Sequence, residues 1–167
     1  MRIVFTALGL VIPLIVSAAT APAVGQSQTT GLTGVDRPGD VVQARQLVMD
    51  GIDTEMHDID QAVVGEKVPL EVLKAHADRI STLLTAFPHL FPPQTQPAPD
   101  APVPTTAAPE VWKEFDDFYS RATAAAKTAY DASEAASLDQ FKPLGMGLRA
   151  ACDSCHAKYM HVEPPKP

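Results

Sequence analysis

Val42, Arg45, Met49, Ile52, Met56, Ile59 and Val63 follow one another at alternating steps of three and four residues. That spacing lines their side chains along one face of an α-helix. Asp40, after Pro38-Gly39, is the expected N-cap, and Gly65 the expected stop. A second stripe runs through Leu73, His76, Ile80, Leu83 and Phe87. It is preceded by Pro69, which a first helical turn tolerates, and it ends before Pro88. A third joins Val111, Phe115, Phe118, Ala122, Ala125 and Ala129, with Trp112 and Tyr119 alongside. A fourth joins Leu138, Phe141, Leu144, Leu148, Cys152, Cys155 and Tyr159, and the prolines after Glu163 end it.

No segment alternates apolar and polar residues over a useful length, so strands are not expected. Between Pro92 and Pro109 proline, alanine and threonine dominate without periodicity, which reads as an extended connection. Four amphipathic helices with two short links and one long one predict an all-α chain. The expected architecture is an antiparallel up-down four-helix bundle with a proline-rich connection between helices 2 and 3. The alanines from Ala122 to Ala129 let a neighbour approach closely or leave room for something bulky. With only 6% aromatic residues, such a core would gain apolar mass from a buried cofactor.

Arg2 precedes an apolar run from Ile3 to Val16, then small residues and Ala21-Pro22-Ala23, the layout of a secretory signal. Residues 1–23 therefore read as a cleaved signal peptide, 24–38 as a flexible segment, 39–162 as the helical domain and 163–167 as a proline-rich tail. The apolar run is shorter than the roughly 20 residues a membrane span needs. Export to the periplasm without stable membrane insertion is expected; retention of the run as an anchor is the alternative. The mature part, about 140 residues, is long enough for one core but hardly for two. A formal charge of −7 without a lysine or arginine cluster argues against nucleic acid as a partner.

Arg149-Ala150-Ala151-Cys152-Asp153-Ser154-Cys155-His156-Ala157-Lys158-Tyr159 holds both cysteines of the chain. An exported protein with two cysteines would ordinarily bridge them. A loop this short removes little entropy from the unfolded chain, so a purely structural bridge is poorly motivated. Three chemistries use Cys-x-x-Cys: a redox-active disulfide, half of a metal site, or two thioether links to a haem whose iron takes the next histidine. A thiol redox centre expects a βαβ neighbourhood and a position at a helix N-terminus, whereas this pair sits late in the fourth stripe. Structural zinc needs four ligands. No second cysteine pair exists, and the spacing of His57, His76, His89 and His161 points to no ligand set. On a helix, residues three apart project both sulfurs from one side, with His156 beside them. The motif is accordingly read as the attachment site of one haem c, with His156 on the iron. No nucleophile–base pair is evident, and no enzyme is indicated.

With these residues the chain resembles the class II cytochromes c, comprising cytochrome c′ and its low-spin, methionine-ligated relatives. The resemblance covers about Asp40 to Tyr159. It is carried by Arg45-Gln46 with Met49 one turn on, Leu90-Phe91-Pro92-Pro93, Pro109-Glu110-Val111-Trp112, and the terminal motif with Tyr159. It implies an antiparallel four-helix bundle, a topology for which cytochrome c′ is itself a standard example. It also implies that Met49 lies across the haem from His156. If that sulfur bonds iron, the site is low-spin and exchanges electrons with little rearrangement. If Met49 only packs, the iron is five-coordinate and can bind nitric oxide or carbon monoxide. Met146 and Met160 share the helix of His156 and are not expected to reach the other face.

By the same resemblance Arg45 and Gln46 meet the haem propionates, a charge-assisted pairing; otherwise Arg45 is a surface arginine. Arg149 serves the same end or is solvated. Trp112, Phe115 and Tyr159 are read as packing residues. Many members carry a basic residue four positions after the haem histidine, where this chain has Met160, and Lys158 is expected to point elsewhere. The implied function is a periplasmic mono-haem cytochrome carrying single electrons between other redox proteins. A gas-binding cytochrome c′ is the alternative, and a haem-free thiol–disulfide protein a further one. The acidic surface implies a basic docking patch on the partner. Family members often dimerise through the first two helices, so a homodimer is open.

Overall fold

The computed structural model describes residues 37–101 and 103–161. The chain forms α1 (Pro38–Val64), α2 (Leu70–Ala86), α3 (Glu110–Lys113), α4 (Phe115–Ser133) and α5 (Leu138–Tyr159). The four long helices make the expected bundle: α2 packs on α1 and α4, and α5 packs on α4 and α1. Among the described residues the only β-type pairing is an isolated antiparallel bridge between Ala107 and Met160. The expected signal peptide, most of the segment that follows it, and the proline-rich tail lie outside the described residues.

The first stripe holds, but its cap does not. Helix α1 starts at Pro38, inside the segment expected to be flexible, with Arg37 at the cap. A proline in the first turn sacrifices an N–H that would have no intrahelical partner. Asp40 lies within that turn, 3.0 Å from Arg37 Nε, where its charge complements the helix dipole. At the other end Gly65 adopts φ 109°, a left-handed conformation that a Cβ would strain. Val42, Arg45, Ile52, Met56 and Ile59 are buried, and Met49 and Val63 are half-buried.

On α2 the buried line is Leu73, Ala77, Ile80 and Leu84, so the stripe expected through His76 and Leu83 is displaced by one position. Ala77 is small enough to pass unnoticed, and the adjacent leucines 83 and 84 make either register plausible to the eye. His76 sits on the flank, with Nδ1 2.5 Å from Glu55 Oε2 and Nε2 3.0 Å from Asp58 Oδ2, both on α1. Pro69 caps α2 instead of entering it.

The third stripe is broken. Glu114, at φ −125° and ψ 44°, separates α3 from α4. Phe115, expected in the core, is 36% exposed. The break lets α3 bring Val111 and Trp112 onto Phe91 while α4 keeps Phe118 inside. The Trp112 indole N–H donates to the Phe91 carbonyl at 3.0 Å. Leu138, also expected in the core, is 40% exposed at the start of α5. There the Ser137 hydroxyl accepts from the Gln140 N–H and the Gln140 side chain accepts from the Ala136 N–H, a reciprocal cap.

The long connection is more than an extended link. It contains a 3-10 turn at Pro93–Thr95. Further on it pairs with the end of α5: the Ala108 N–H donates to Tyr159 O at 2.9 Å and the His161 N–H to Thr106 O at 2.7 Å.

Two apolar clusters result. The larger lies among the four helices around Ile59, Leu73, Ile80, Phe141 and Leu148. The smaller, around Phe91, Val111, Phe118 and Tyr159, closes one end of the bundle. Cys152 packs against the first and Cys155 against the second. The cysteine pair therefore marks the seam between them.

Candidate cofactor site

At that seam the bundle leaves a largely apolar cleft of about 850 Å³, its open mouth included. Arg45, Gln46, Met49, Cys152, Cys155 and His156 all line it. Three of these come from α1 and three from the last two turns of α5, so the fold unites residues about 100 positions apart. Ala122 and Ala125 of α4 also face the cleft, and their small side chains leave it wide.

Burial pushes both cysteine thiols above their ordinary range. A thiolate nucleophile needs the opposite. The pair also lies near the C-terminus of α5, where the helix dipole disfavours negative charge. Among the described residues no group of three or more histidine, cysteine or acidic side chains comes together as a metal site. A structural zinc would lack its remaining ligands.

Arg45 is no surface arginine: it is 3% exposed. Its Nη1 donates to Thr95 Oγ1 at 2.9 Å, and its Nη2 to Thr95 O at 3.2 Å and Thr105 Oγ1 at 2.8 Å. The guanidinium stacks on Phe91 and Trp112, 4.6 and 5.5 Å from their ring centres. Every one of these acceptors is neutral. Desolvation draws the pKa down to about 10, which still leaves a cation at neutral pH. A charge so deep costs several kcal/mol unless an anion meets it. Next to it, Gln46 Nε2 donates to Pro104 O at 3.0 Å, so α1 holds the connection through two successive side chains.

Other expectations are corrected here. Met160 does not share the helix of His156, because the chain turns extended after Tyr159, and Met160 joins the cleft wall beside Ala107. Met146 points away and is 52% exposed. Arg149 lies outside the cleft wall, partly exposed, and forks onto Asp60 of α1. Lys158 does point elsewhere, to Glu114 at 2.6 Å and Asp117 at 3.0 Å.

Arg121 of α4, which sequence reasoning passed over, is part of the cleft. It donates to Asp117 Oδ2 at 2.8 Å and to Ser154 Oγ at 3.0 Å. A signal was present, since Phe118, Arg121 and Ala125 keep the three–four spacing and put a charge on an apolar stripe. Thr95 and Thr105 were also missed. They are lone hydroxyls in a segment without periodicity, and only the fold shows what they face.

Residues 40–160 match the family model described as Cytochrome C′. The chain is 32% identical over 124 residues to Cytochrome c-556 of Agrobacterium tumefaciens (strain II Chrys), across 71% of this chain and 94% of that protein. Among solved structures it is similar to cytochrome c′ from Rubrivivax gelatinosus, at 25% identity and a TM-score of 0.67, covering 75% of this chain and 98% of that one. In fold it is also similar to oxidized R. palustris cytochrome c556, at 21% identity and a TM-score of 0.66, covering 75% and 98% of the two chains. Proteins of this family bind one covalently attached haem c. The site fits such a group on three counts: paired thiols beside a histidine, a largely apolar cleft between two core clusters, and a buried cation that meets no carboxylate among the described residues. The chain belongs to the cytochrome c′ family, the class II cytochromes c, and is a haem cytochrome.

Proposed function

We propose that this chain is an exported single-electron carrier, with one haem c held by Cys152 and Cys155 and its iron ligated by His156 and Met49. One observation carries the reading: Met49, from α1, lines the same cleft as Cys152, Cys155 and His156 from α5. A haem bound there supplies one-electron exchange between ferric and ferrous iron. The protein's own residues do the rest. Cys152 and Cys155 present two sulfurs from one side of α5, and His156 beside them offers an imidazole. Met49 contributes a soft thioether, which favours the ferrous state and raises the potential. Arg45 and Gln46 offer donors to the propionates, and an anion there answers the charge that Thr95 and Thr105 meet only with neutral oxygens. The apolar wall lowers the local dielectric around the group.

The N-terminal pattern supports export. Among the described residues no helix is long and apolar enough to cross a membrane. A charge of −7 suits redox partners with a basic docking face.

A second reading has Met49 pack without ligating and the open iron position bind nitric oxide or carbon monoxide. It is favoured by the packing of Met49 against the larger core cluster. Electron paramagnetic resonance of the ferric protein beside Met49→Ala separates the two. A low-spin wild type that turns high-spin on substitution supports the carrier; a high-spin signal in both overturns it.

A further inference from the structure

We infer that Asp117 is a positioning residue: from one carboxylate oxygen on α4 it fixes the turn of α5 that carries His156, and thereby the direction of that imidazole. The inference rests on the reading above that His156 is an iron ligand. Asp117 Oδ2 accepts from the Tyr159 phenol at 2.6 Å, from Arg121 Nε at 2.8 Å and from Lys158 Nζ at 3.0 Å. Arg121 passes the tie onward to Ser154 at 3.0 Å, and Lys158 also reaches Glu114 at 2.6 Å. Ser154, Lys158 and Tyr159 bracket Cys155 and His156 on both sides. Each is held to α4 by a side chain. A rotation of this turn about the helix axis would strain all three ties together.

The charges alone do not explain the arrangement. Asp117 and Lys158 are 42% and 35% exposed at their side chains, and ion pairs that wet contribute little. What distinguishes the site is convergence, three donors from two helices on one oxygen, with the phenol supplied by a residue only 4% exposed. Among the described residues no side chain hydrogen-bonds the His156 ring. Its orientation therefore follows the turn that bears it, in place of the direct partner that usually orients a ligating histidine.

The test uses holoprotein of wild type, Asp117→Ala, Asp117→Asn and Tyr159→Phe, read by ferric electron paramagnetic resonance, with far-ultraviolet circular dichroism for helix content. Displaced g-values at unchanged helix content are expected, largest in Asp117→Ala. They should be smaller in Asp117→Asn, which keeps an acceptor for the phenol. Tyr159→Phe keeps every formal charge and the ring contact with Phe118 at 5.2 Å, so a shift there does not arise from a change of charge. If Asp117→Ala yields no folded holoprotein, Tyr159→Phe decides. A signal identical to wild type in Tyr159→Phe, whatever happens to the melting temperature, overturns the inference. Failure of the carrier reading shows instead in the wild type and Met49→Ala, so the two are told apart.

Discussion

The Arg45 guanidinium donates to the Thr105 hydroxyl at 2.8 Å across 60 positions of sequence, and so joins the first helix of the bundle to a proline-rich connection that shares the cleft wall. Two effects compete at that pair. Hydrogen bonds to a buried cation stabilise, and the desolvation of the cation opposes them.

Removing the hydroxyl weakens the first effect, and it also frees the Ala107 N–H, which donates to the same oxygen at 3.1 Å. A hydrogen bond to a charged group is worth about 1.5–3 kcal/mol, and Thr95 keeps two of the three contacts of Arg45. Thr105→Val should therefore cost about 1.5 kcal/mol, at the low end of that range. Urea unfolding of the holoprotein should show a lower midpoint at unchanged slope; an unmoved midpoint contradicts the assignment.

Gly145 and Gly147 should respond oppositely to alanine. A Cβ at Gly145 would lie 3.0 Å from the Ile59 methyl Cγ2, and Ile59 is fully buried and cannot retreat. A Cβ at Gly147 finds nothing nearer than 3.9 Å. Gly147→Ala should stabilise by roughly 0.5–1 kcal/mol through helix propensity. Gly145→Ala should destabilise by about 1 kcal/mol, overpacking outweighing the same gain. Thermal unfolding of both variants checks the sign; stabilisation in both would mean that α1 and α5 can separate.

Much of this was legible in the residues. The three–four spacing of α1 survives because all but one of its members are apolar side chains that gain by burial, and Gly65 ends it because the next turn needs a left-handed residue. The residues of the candidate site were legible because Cys-x-x-Cys-His is a local pattern and Arg45-Gln46 stands one turn before Met49. What stayed hidden depends on distant partners. Arg121 acquires its place from Asp117 and from Ser154, 33 residues away. Thr95 and Thr105 matter only because the connection folds back onto α1. The break at Glu114 has no local breaker, neither glycine nor proline; it follows from the pull of Phe91 on Val111 and Trp112.

Asp117 should extend stability into acid. Bonds from the Tyr159 phenol, then Arg121 and Lys158, favour its charged form and hold its pKa below the ordinary value of 3.8. A carboxylate depressed on folding adds stability that is complete above the unfolded pKa and lost as pH falls toward the folded one. The gap in melting temperature between wild type and Asp117→Asn should thus be constant from about pH 7 to pH 5 and narrow below about pH 4. A gap unchanged at the acid end would show that the carboxylate's charge is not what the three donors hold.

Electron exchange with small reagents should reveal the sign of the surface. With a formal charge of −7 for the whole chain, −8 once Arg2 leaves with the expected signal peptide, oxidation or reduction by a cationic complex such as hexaammineruthenium should slow as salt rises, and exchange with ferricyanide should quicken. Rates independent of ionic strength for both would rule out steering by the acidic surface.

The most direct measurement is the mass of one peptide. Trypsin cleavage after Arg149 and Lys158 isolates residues 150–158, which contain Cys152, Cys155 and His156. From the mature protein this peptide is expected to carry one haem through both sulfurs and to keep it through acid–acetone extraction. A peptide with two free thiols, or one lighter by two hydrogens as a disulfide, would contradict haem attachment and the electron-carrier function built on it.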